Sequence, residues 1–243
     1  MIPKLNKYSQ IDHSKTYQKF NLRNIPHILR LSKHLQILRK YKSKKFYSYA
    51  DFGCSNGYVT NIISKKIKAL KTVGYDHSLN LDIARKKYAS YEFNFYDLNI
   101  PKLNVEKYDL VTCFETLEHV GSITSAIKNL INSLNDKGLI IISVPIETGL
   151  IGLIKFTIKR LLYKDRYNLS KPEFEYVKAL FMNRDISSFR DKDATHYGPH
   201  LGFDFRIIDG ILNKELKIDF KAFNSLTTRY YLIDNDKNSF KKK

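Results

Sequence analysis

Residues 46–57 read FYSYADFGCSNG, an aromatic-rich run that meets Asp51 and Gly53 and then enters a turn of small residues. Aromatic residues favour a buried strand, and a glycine where a strand turns into a helix lets the backbone approach a ligand closely. The turn matches neither common phosphate-binding loop, because Ser55 and Tyr58 stand where the dinucleotide fingerprint needs glycine and no Gly-Lys-Ser/Thr ending is present. An acidic residue before such a turn suits a cationic group of a ligand, and the alternative is an ordinary strand–helix turn.

Strand and helix patterns alternate five times from this stretch to Pro145. The further predicted strands cover residues 70–76, 91–97, 108–115 and 139–145. The predicted helices between them cover residues 56–67, 78–88 and 122–138, the last closed by Gly138. The strands are too apolar for either face of the sheet to be exposed to solvent, which indicates a parallel sheet covered by helices on both sides. The expected fold class is α/β, with a Rossmann-like, doubly wound and mostly parallel sheet.

The alternation lapses outside this region. We expect residues 1–24 to be loosely ordered. The remaining predicted elements are basic amphipathic helices over residues 25–41 and 149–163, a helix over 203–213, and an edge hairpin of strands over 216–225 and 226–234.

The net charge of +18 is unevenly distributed along the 243 residues. Residues 1–45 hold 12 basic residues against one acidic residue, residues 46–150 hold 11 against 11, and residues 151–243 hold 19 against 12. A positive field attracts nucleic acid, anionic lipid or acidic substrates without choosing among them, and a lysine-rich composition bias is the alternative explanation. The two cysteines and the absence of an apolar run at the start predict a cytoplasmic location without a disulfide framework.

Two further acidic residues follow predicted strands, as Asp51 does. Asp76 ends the second strand, where a carboxylate can accept hydrogen bonds from ribose hydroxyls, and a helix-start acid is the alternative. Asp97 and Leu98 follow the third strand, where a carboxylate can meet an adenine amino group. Because the carboxyl ends of parallel strands share one edge, we expect these groups to line one crevice.

On these motifs, over about residues 40–146 and more loosely to 233, the chain resembles the class I S-adenosylmethionine-dependent methyltransferases. The resemblance implies a seven-stranded sheet of order 3-2-1-4-5-7-6 with the last strand antiparallel, and S-adenosylmethionine as cofactor. It also implies that Asp51, Gly53 and Gly57 form the loop under the methionine part, Asp76 holds the ribose, and Asp97 with Leu98 holds the adenine. The predicted cofactor set is completed by Cys54, Ser55, His77, Phe114 and Glu115.

Glu115, Glu118 and His119 follow the fourth strand with a spacing that would place them on one face of a helical turn. Three interpretations stay open: a helix start that packs and touches the cofactor, a general base at His119 helped by Glu118, or a metal site. The pattern is similar to that of ubiquinone-biosynthesis O-methyltransferases and glycan-cluster methyltransferases. It also resembles the metal site of small-RNA 2′-O-methyltransferases, to which His196 or His200 would add the second histidine.

The predicted catalytic residues are therefore His119, Glu118, His196 and His200. No metal ion is predicted, although Glu115, Glu118, His119 and His200 are candidate ligands for one. The expected function is methyl transfer to a small-molecule, carbohydrate or lipid-linked acceptor, favoured on oxygen. The alternatives are a metal-dependent RNA 2′-O-methyltransferase and a non-catalytic S-adenosylmethionine-binding subunit or regulator.

The predicted organisation has four parts. They are a basic N-terminal arm and helix over residues 1–45, an S-adenosylmethionine-binding core over 46–146, an acceptor-side insertion over 147–204, and a last helix, hairpin and basic tail over 205–243. The amphipathic helix of the insertion favours either a lid on the pocket or contact with an anionic membrane at its inner face. Nucleic acid is the less favoured partner, because no RNA-binding module is visible.

Overall fold

The computed structural model describes residues 14–21, 24–77, 80–100, 106–162, 169, 171–190 and 200–236. Within these residues the chain forms one mixed sheet with helices on both faces. The strands, in chain order, are β1 (Ser48–Phe52), β2 (Lys71–Asp76), β3 (Glu92–Phe95), β4 (Tyr108–Phe114), β5 (Leu134–Pro145), β6 (Lys221–Ser225) and β7 (Thr228–Asp234).

The sheet has seven strands in the order β3-β2-β1-β4-β5-β7-β6, which confirms the predicted order. β7 is antiparallel to both of its neighbours, and the remaining neighbouring pairs are parallel. Because of this reversal, β7 begins at the carboxyl edge of the sheet, with Thr228 opposite Pro145 and Tyr230 opposite Ser143. The edge where the parallel strands end therefore receives side chains from the hairpin as well.

The helices, in chain order, are α1 (Ser14–Gln18), α2 (Ile25–Lys40), α3 (Tyr58–Ile67), α4 (Asn80–Lys87), α5 (Ile123–Asn132), α6 (Gly149–Leu162), α7 (Glu173–Phe181) and α8 (Arg206–Gly210). Short 3-10 turns lie at Leu117–His119 and Ser187–Phe189, and a π-helical turn at Ile211–Glu215 follows α8. No helix in the described part of the chain is long and apolar enough to cross a membrane.

Both faces of the sheet are buried, as the apolar strand sequences predict. Along β4, Leu110 packs with α2 and α3, whereas the next residue, Val111, packs with α5 and α8. Strand side chains alternate between faces, so a central strand covered on both sides must be apolar at consecutive positions. The helices α6 and α7 form a separate cluster beside the sheet, around Phe156, Tyr176 and Leu180.

The helix predicted over residues 122–138 is shorter than expected and ends at Asn132. The carbonyl of Ser133 accepts the amide of Tyr108 at 2.8 Å, so the chain enters the sheet directly after the helix. Gly138, which was expected to close the helix, lies inside β5. Pairing with β4 thus overrides the local helical pattern.

The expectation that residues 1–24 are loosely ordered is wrong for the part that the structure describes. Ser14–Gln18 form α1, which packs against α2, and the stacked rings of Tyr17 and Tyr58 join α1 to the start of α3. Short helices of this kind gain stability from tertiary packing rather than from propensity.

Candidate active site

A cavity of about 420 Å³ opens at the carboxyl edge, over the ends of β1, β2 and β4. All but one of the predicted cofactor residues line this cavity. They are Asp51, Gly53, Cys54, Ser55, Asp76, His77, Asp97, Leu98, Phe114 and Glu115. The exception is Gly57, which has φ 74 at the start of α3, where an added Cβ would lie 2.8 Å from the ring of Phe93. Gly57 therefore allows close packing beneath the loop.

The loop after β1 is shaped by contacts to neighbouring strand ends. Gly53 has φ 86, and a Cβ at this position would collide with Thr116 of the next loop. The amide of Ser55 donates to the Asp76 carboxylate at 2.8 Å, and the amide group of Asn80 donates to the Ser55 hydroxyl at 3.2 Å. These bonds bring the ends of β1 and β2 together beside the cavity.

Asp51 is buried at the floor of the cavity and is held by two hydroxyl groups. The Thr60 and Thr112 hydroxyls each donate to its carboxylate at 2.6 Å. Burial raises the pKa of Asp51 to about 6, although these two hydrogen bonds act in the opposite direction. A cationic group in the cavity would favour the ionised form.

Several buried polar atoms of the residues that line the cavity have no hydrogen-bond partner within the described residues. Beyond the ends of β2 and β3 they are the Oδ1 atom of Asn80 and the hydroxyl oxygen of Tyr96, and the others belong to His34 and Glu118. Leaving such groups unpaired costs about 1–3 kcal/mol each, so a polar ligand that supplies partners is favoured. With Asp76 and Asp97 nearby, the groups of Asn80 and Tyr96 fit a ligand that carries a ribose and an adenine.

The N-terminal helices contribute a wall of the cavity that the sequence did not reveal. Tyr17, His27, Arg30 and His34 all line it. The Arg30 guanidinium pairs with the carboxylate of Glu115 and so ties α2 to the end of β4. The sequence predicts only a basic amphipathic helix over residues 25–41, and helical periodicity does not say which pocket a helix covers.

His34 is buried with neither ring nitrogen hydrogen-bonded to any described residue. Its ring stacks on Phe114, with centroids 3.7 Å apart, and meets the edge of the Tyr230 ring at 5.7 Å. The Tyr230 hydroxyl is also buried without a partner in the described part of the chain. Burial, reinforced by the charge of Arg30, lowers the pKa of His34 to about 3. The imidazole is therefore neutral over the physiological range.

Glu118, His119 and His200 form a cluster next to the cofactor crevice. Each offers a ligand atom, and these atoms lie within 4.8 Å of one another. The Oε1 atom of Glu118 lies 4.0 Å from Nε2 of His119 and 3.9 Å from Nε2 of His200, which is too long for direct hydrogen bonds. The structure thus brings together three of the four predicted catalytic residues, and the fourth, His196, lies outside the described residues.

Glu118 is completely buried, and neither carboxylate oxygen has a hydrogen-bond partner among the described residues. Burial, followed by the charge of Glu115, raises its pKa well above the usual range. An ionised carboxylate without partners is costly in such a place, so Glu118 needs a proton or a bound cation.

Glu115 does not share a face with this cluster, so the prediction of a common helical face is wrong. Its backbone has φ 48, and the 3-10 turn begins only at Leu117. The Glu115 carboxylate turns towards Arg30 and accepts the hydroxyl of Ser143 at 3.1 Å. The reversal of the chain after β4 separates the two glutamates.

A second buried carboxylate, Glu147, lies on the other side of His200. Lys155 and Lys159 of α6 donate to it at 3.0 and 3.2 Å, and Nδ1 of His200 lies 3.6 Å away. Burial by itself would raise the pKa of Glu147, but the contacts with His200 and the two lysines lower it to about 2. Glu147 is not among the site residues predicted from sequence, because no local motif surrounds it.

Comparison with known proteins agrees with this geometry. The sequence profile of the family described as "Methyltransferase domain" matches residues 17–197. The chain belongs to this family. The matched range begins within α1, so the N-terminal helices that line the cavity fall inside this methyltransferase domain.

Curated relatives of the domain are distant. The ubiquinone biosynthesis O-methyltransferase of Rickettsia bellii is 26% identical over 159 residues, which cover 62% of this chain and 66% of the relative. A protein named as a methyltransferase from Invertebrate iridescent virus 6 is 28% identical over 130 residues, covering 52% of this chain and 48% of the relative. The chain thus spans between about half and just under two thirds of the length of these two relatives.

A solved structure of similar fold is that of the plantazolicin methyltransferase BpumL in complex with a triazolic desmethylPZN analog and SAH. It has a TM-score of 0.60 at 16% identity and covers 94% of this chain and 93% of its own. SAH is the product that S-adenosylmethionine leaves after methyl transfer. The family match confirms the expected methyltransferase domain, and the strand order together with this structural similarity confirms the expected class I fold.

Proposed function

We propose that this methyltransferase domain transfers a methyl group from S-adenosylmethionine to a hydroxyl oxygen of a small-molecule, carbohydrate or lipid-linked acceptor. The observation that carries the proposal is the cluster of Glu118, His119 and His200 beside the cofactor cavity. When bound, S-adenosylmethionine supplies an electrophilic methyl group. A hydroxyl acceptor must lose a proton as the methyl arrives, and an imidazole is the side chain best suited to take it near neutral pH.

The arrangement of the cluster supports transfer to oxygen. The side chains of His119 and His200 are 33% and 28% exposed, so both rings can meet an acceptor, whereas Glu118 is buried behind them. The two rings lie edge to face, with centroids 4.9 Å apart. An acceptor held between these rings and the cofactor would have its hydroxyl aligned with the methyl group, which is the main contribution to catalysis in such a transfer.

A second candidate is the same transfer assisted by a divalent cation. The unsatisfied, buried Glu118 carboxylate supports it, because a cation would give both oxygens the partner that they lack among the described residues. Glu118, His119 and His200 would hold the cation, and one carboxylate with two imidazoles suits Zn²⁺ or Mn²⁺. A cation there would polarise the acceptor hydroxyl. The RNA 2′-O-methyltransferase alternative requires this version.

Product formation with defined acceptors tests the proposal. We expect the full chain to form S-adenosylhomocysteine with catechols or sugar alcohols and to bind the cofactor in a calorimeter. Turnover lost with EDTA and restored by Zn²⁺ or Mn²⁺ would support the cation-assisted version, and turnover unchanged by EDTA would rule it out. Activity confined to the 3′ end of small RNA would favour the RNA alternative. Cofactor binding without turnover on any acceptor would favour a non-catalytic subunit.

We also propose that α6 and α7 dock on an anionic membrane and deliver a lipid-linked acceptor. Leu150, Ile154, Ile158 and Leu161 repeat along one face of α6, and each is more than half exposed. Phe174 and Phe181 of α7 are also exposed. Lys155, Lys159 and Arg160 of α6 are paired with glutamates, so the attraction to anionic headgroups comes from the wider segment from residue 151 onwards, which carries 19 basic against 12 acidic residues.

Vesicle flotation tests this docking. We expect the full chain to float with vesicles that contain phosphatidylglycerol at low salt, and less so at physiological salt because charge is screened. The triple variant Leu150→Ser, Ile154→Ser, Ile158→Ser should lose this binding. Leu70→Ser is the control, because Leu70 is even more exposed than these residues but lies just before β2 rather than on α6 or α7. Absence of flotation by the wild type, or equal flotation of the triple variant, would refute the proposal.

The division of the chain stays a proposal with one refinement. We propose residues 46–146 as the cofactor core and 147–204 as the acceptor-side insertion. The N-terminal part, 1–45, is proposed as a cover of the cavity rather than a free arm, since Arg30 and His34 line it.

A further inference from the structure

Glu147 stands at a junction between the surface helix α6 and the candidate active site. It lies two residues after the end of β5 and is buried, with 4% of its side chain exposed. On one side its two oxygens accept Lys155 and Lys159, which are one turn apart on α6. On the other side it faces His200 of the cluster.

The two nitrogens of His200 face two different carboxylates. Nδ1 lies 3.6 Å from Oε1 of Glu147, an ion-pair contact slightly longer than a hydrogen bond, and Nε2 lies 3.9 Å from Oε1 of Glu118. A carboxylate beside one ring nitrogen keeps the proton there and leaves the lone pair on the other nitrogen. Glu147 is the nearer of the two carboxylates and is paired with Lys155 and Lys159, so it is the one that can fix the proton on Nδ1.

The backbone around His200 does not orient the ring by itself. The carbonyl of His200 accepts the amide of Phe203 at 3.1 Å, and the hydroxyl of Tyr176 accepts the amide of Gly202 at 3.2 Å. These bonds place the chain but leave rotation about the side-chain bonds open. The ring is instead braced between Glu147 and the ring of His119.

Glu147 is in turn immobilised from the side of α6. Lys155 donates to its carboxylate and also to the carbonyl oxygens of Ile146, at 2.9 Å, and Thr227, at 3.4 Å. The lysine therefore joins α6, the end of β5 and the hairpin before β7. A carboxylate fixed in this way can hold an imidazole in one orientation.

We propose that Glu147 is a positioning residue that holds His200 with its proton on Nδ1 and its Nε2 lone pair towards Glu118 and His119. Its consequence for catalysis rests on the proposed function, because His200 would then present a proton acceptor, or a cation ligand, to the acceptor hydroxyl. The orientation and tautomer of His200 do not depend on that function.

The tautomer can be measured directly in the full chain. With ¹⁵N-labelled histidine at about pH 8, above the ordinary pKa of imidazole, long-range ¹H–¹⁵N spectra distinguish the two neutral forms. His200→Gln assigns the signal among the seven histidines. We expect the Nδ1–H form in the wild type and a shift towards the Nε2–H form in Glu147→Ala. Glu147→Gln, whose carbonyl can still accept Nδ1–H, should retain most of the wild-type form. This variant therefore distinguishes loss of the hydrogen-bond acceptor from misfolding as the cause of a change in Glu147→Ala.

The matched control is Glu173→Ala, which removes an exposed acid of α7 that pairs with Arg160 at 3.1 Å. It should leave the His200 signal unchanged. A wild-type His200 with the proton on Nε2 would overturn the proposal, and so would a tautomer that does not respond to Glu147→Ala.

A functional measurement separates this proposal from the proposed function. If methyl transfer is found, Glu147→Ala should lower kcat about 10- to 100-fold, as loss of an outer carboxylate on a working histidine does, with cofactor affinity unchanged. If no acceptor is methylated by the wild type, the proposed function fails, and the tautomer measurement still decides the role of Glu147. An equal loss in kcat for Glu147→Ala and Glu173→Ala would count against positioning.

Discussion

The two halves of the cavity are built in different ways. In the cofactor half, consecutive strand ends supply the residues, and their polar groups bond to one another: Ser55 to Asp76, and Thr60 and Thr112 to Asp51. The half proposed for the acceptor (the acceptor half) draws on distant segments of the chain: α2, the turn after β4 and residue 200, with Glu147 in contact with His200. The first half is held together by hydrogen bonds among its own residues, whereas in the second the Glu118 carboxylate has no hydrogen-bond partner among the described residues.

Within the acceptor half, two buried carboxylates differ in how they are satisfied. Glu118 has no hydrogen-bond partner within the described residues, and burial raises its pKa, whereas Glu147 is held by two lysines and has a lowered pKa of about 2. Two carboxylates on either side of His200 are thus driven towards opposite protonation states. Such divergence is typical of sites that move protons or bind cations.

The largest expected effect tests the acceptor half. Glu118→Gln should lower kcat about 1,000-fold, within the range for loss of an acid–base group, because the cluster loses its only buried carboxylate facing both histidines. The variant should also melt at a higher temperature than the wild type, since it removes a buried ionisable group that lacks a partner in the described structure. Product assays measure kcat, thermal unfolding measures the melting temperature, and calorimetry with S-adenosylhomocysteine measures the cofactor affinity.

Cofactor affinity should stay within about threefold in Glu118→Gln. Glu175→Gln, at an exposed position of α7, is the control and should match the wild type. A large loss of cofactor affinity in Glu118→Gln would mean that the two halves are not functionally separate.

A smaller effect is expected in the cofactor half. Asp76→Ala should weaken cofactor binding by about 10- to 100-fold, because hydrogen bonds to a charged group contribute about 1.5–3 kcal/mol. Calorimetry with S-adenosylhomocysteine measures it. Asp82→Ala, which removes an exposed partner of Arg85 on α4, should bind normally. Unchanged affinity in Asp76→Ala would refute the ribose assignment.

The pH dependence of stability tests how Asp51 is held. Its pKa of about 6 in the folded state is above the ordinary value of 3.8, so the folded state binds this proton more tightly than the unfolded state. Stability from this group is therefore complete at low pH and is lost as pH rises through about 6, by at most about 3 kcal/mol. Denaturant unfolding of wild type and Asp51→Asn between about pH 4 and 7 should show this slope only in the wild type. Parallel curves would contradict the raised pKa.

The smallest effect concerns the wall contributed by α2. His34→Phe keeps the stack on Phe114 and removes two buried nitrogens that lack partners among the described residues. We expect the free energy of unfolding to rise by about 1 kcal/mol, measured by urea titration. His34→Ala, which opens a cavity instead, should destabilise the protein. A fall in stability for His34→Phe would show that the imidazole has a partner in the folded protein.

The sheet order and the grouping of most predicted cofactor residues around one cavity were predictable from sequence. Apolar strands ending at Gly53, Asp76 and Asp97 carry that information within a few residues of each motif. Predictions that depended on local periodicity alone were weaker. The helix expected to reach Gly138 ends at Asn132, because pairing with β4 begins there.

The acceptor half shows why the rest was not predictable. Glu115 and Glu118 share a motif in sequence, but the positive φ of Glu115 turns the first towards Arg30 and leaves the second with His119. Glu147 has no motif at all, and its significance comes from a contact with a residue more than 50 positions away.

The sequence by itself determined the alternation of strands and helices, the carboxyl edge as the place of the cofactor, and the acidic residues that follow the strands. These features depend on side-chain periodicity and on turns a few residues long, which are local properties of the chain. Only the tertiary structure decided that α2 covers the cavity, that Glu118 is buried without a described partner, and that Glu147 faces His200. Burial and ion pairing arise between segments far apart in sequence, so they are set when those segments pack together.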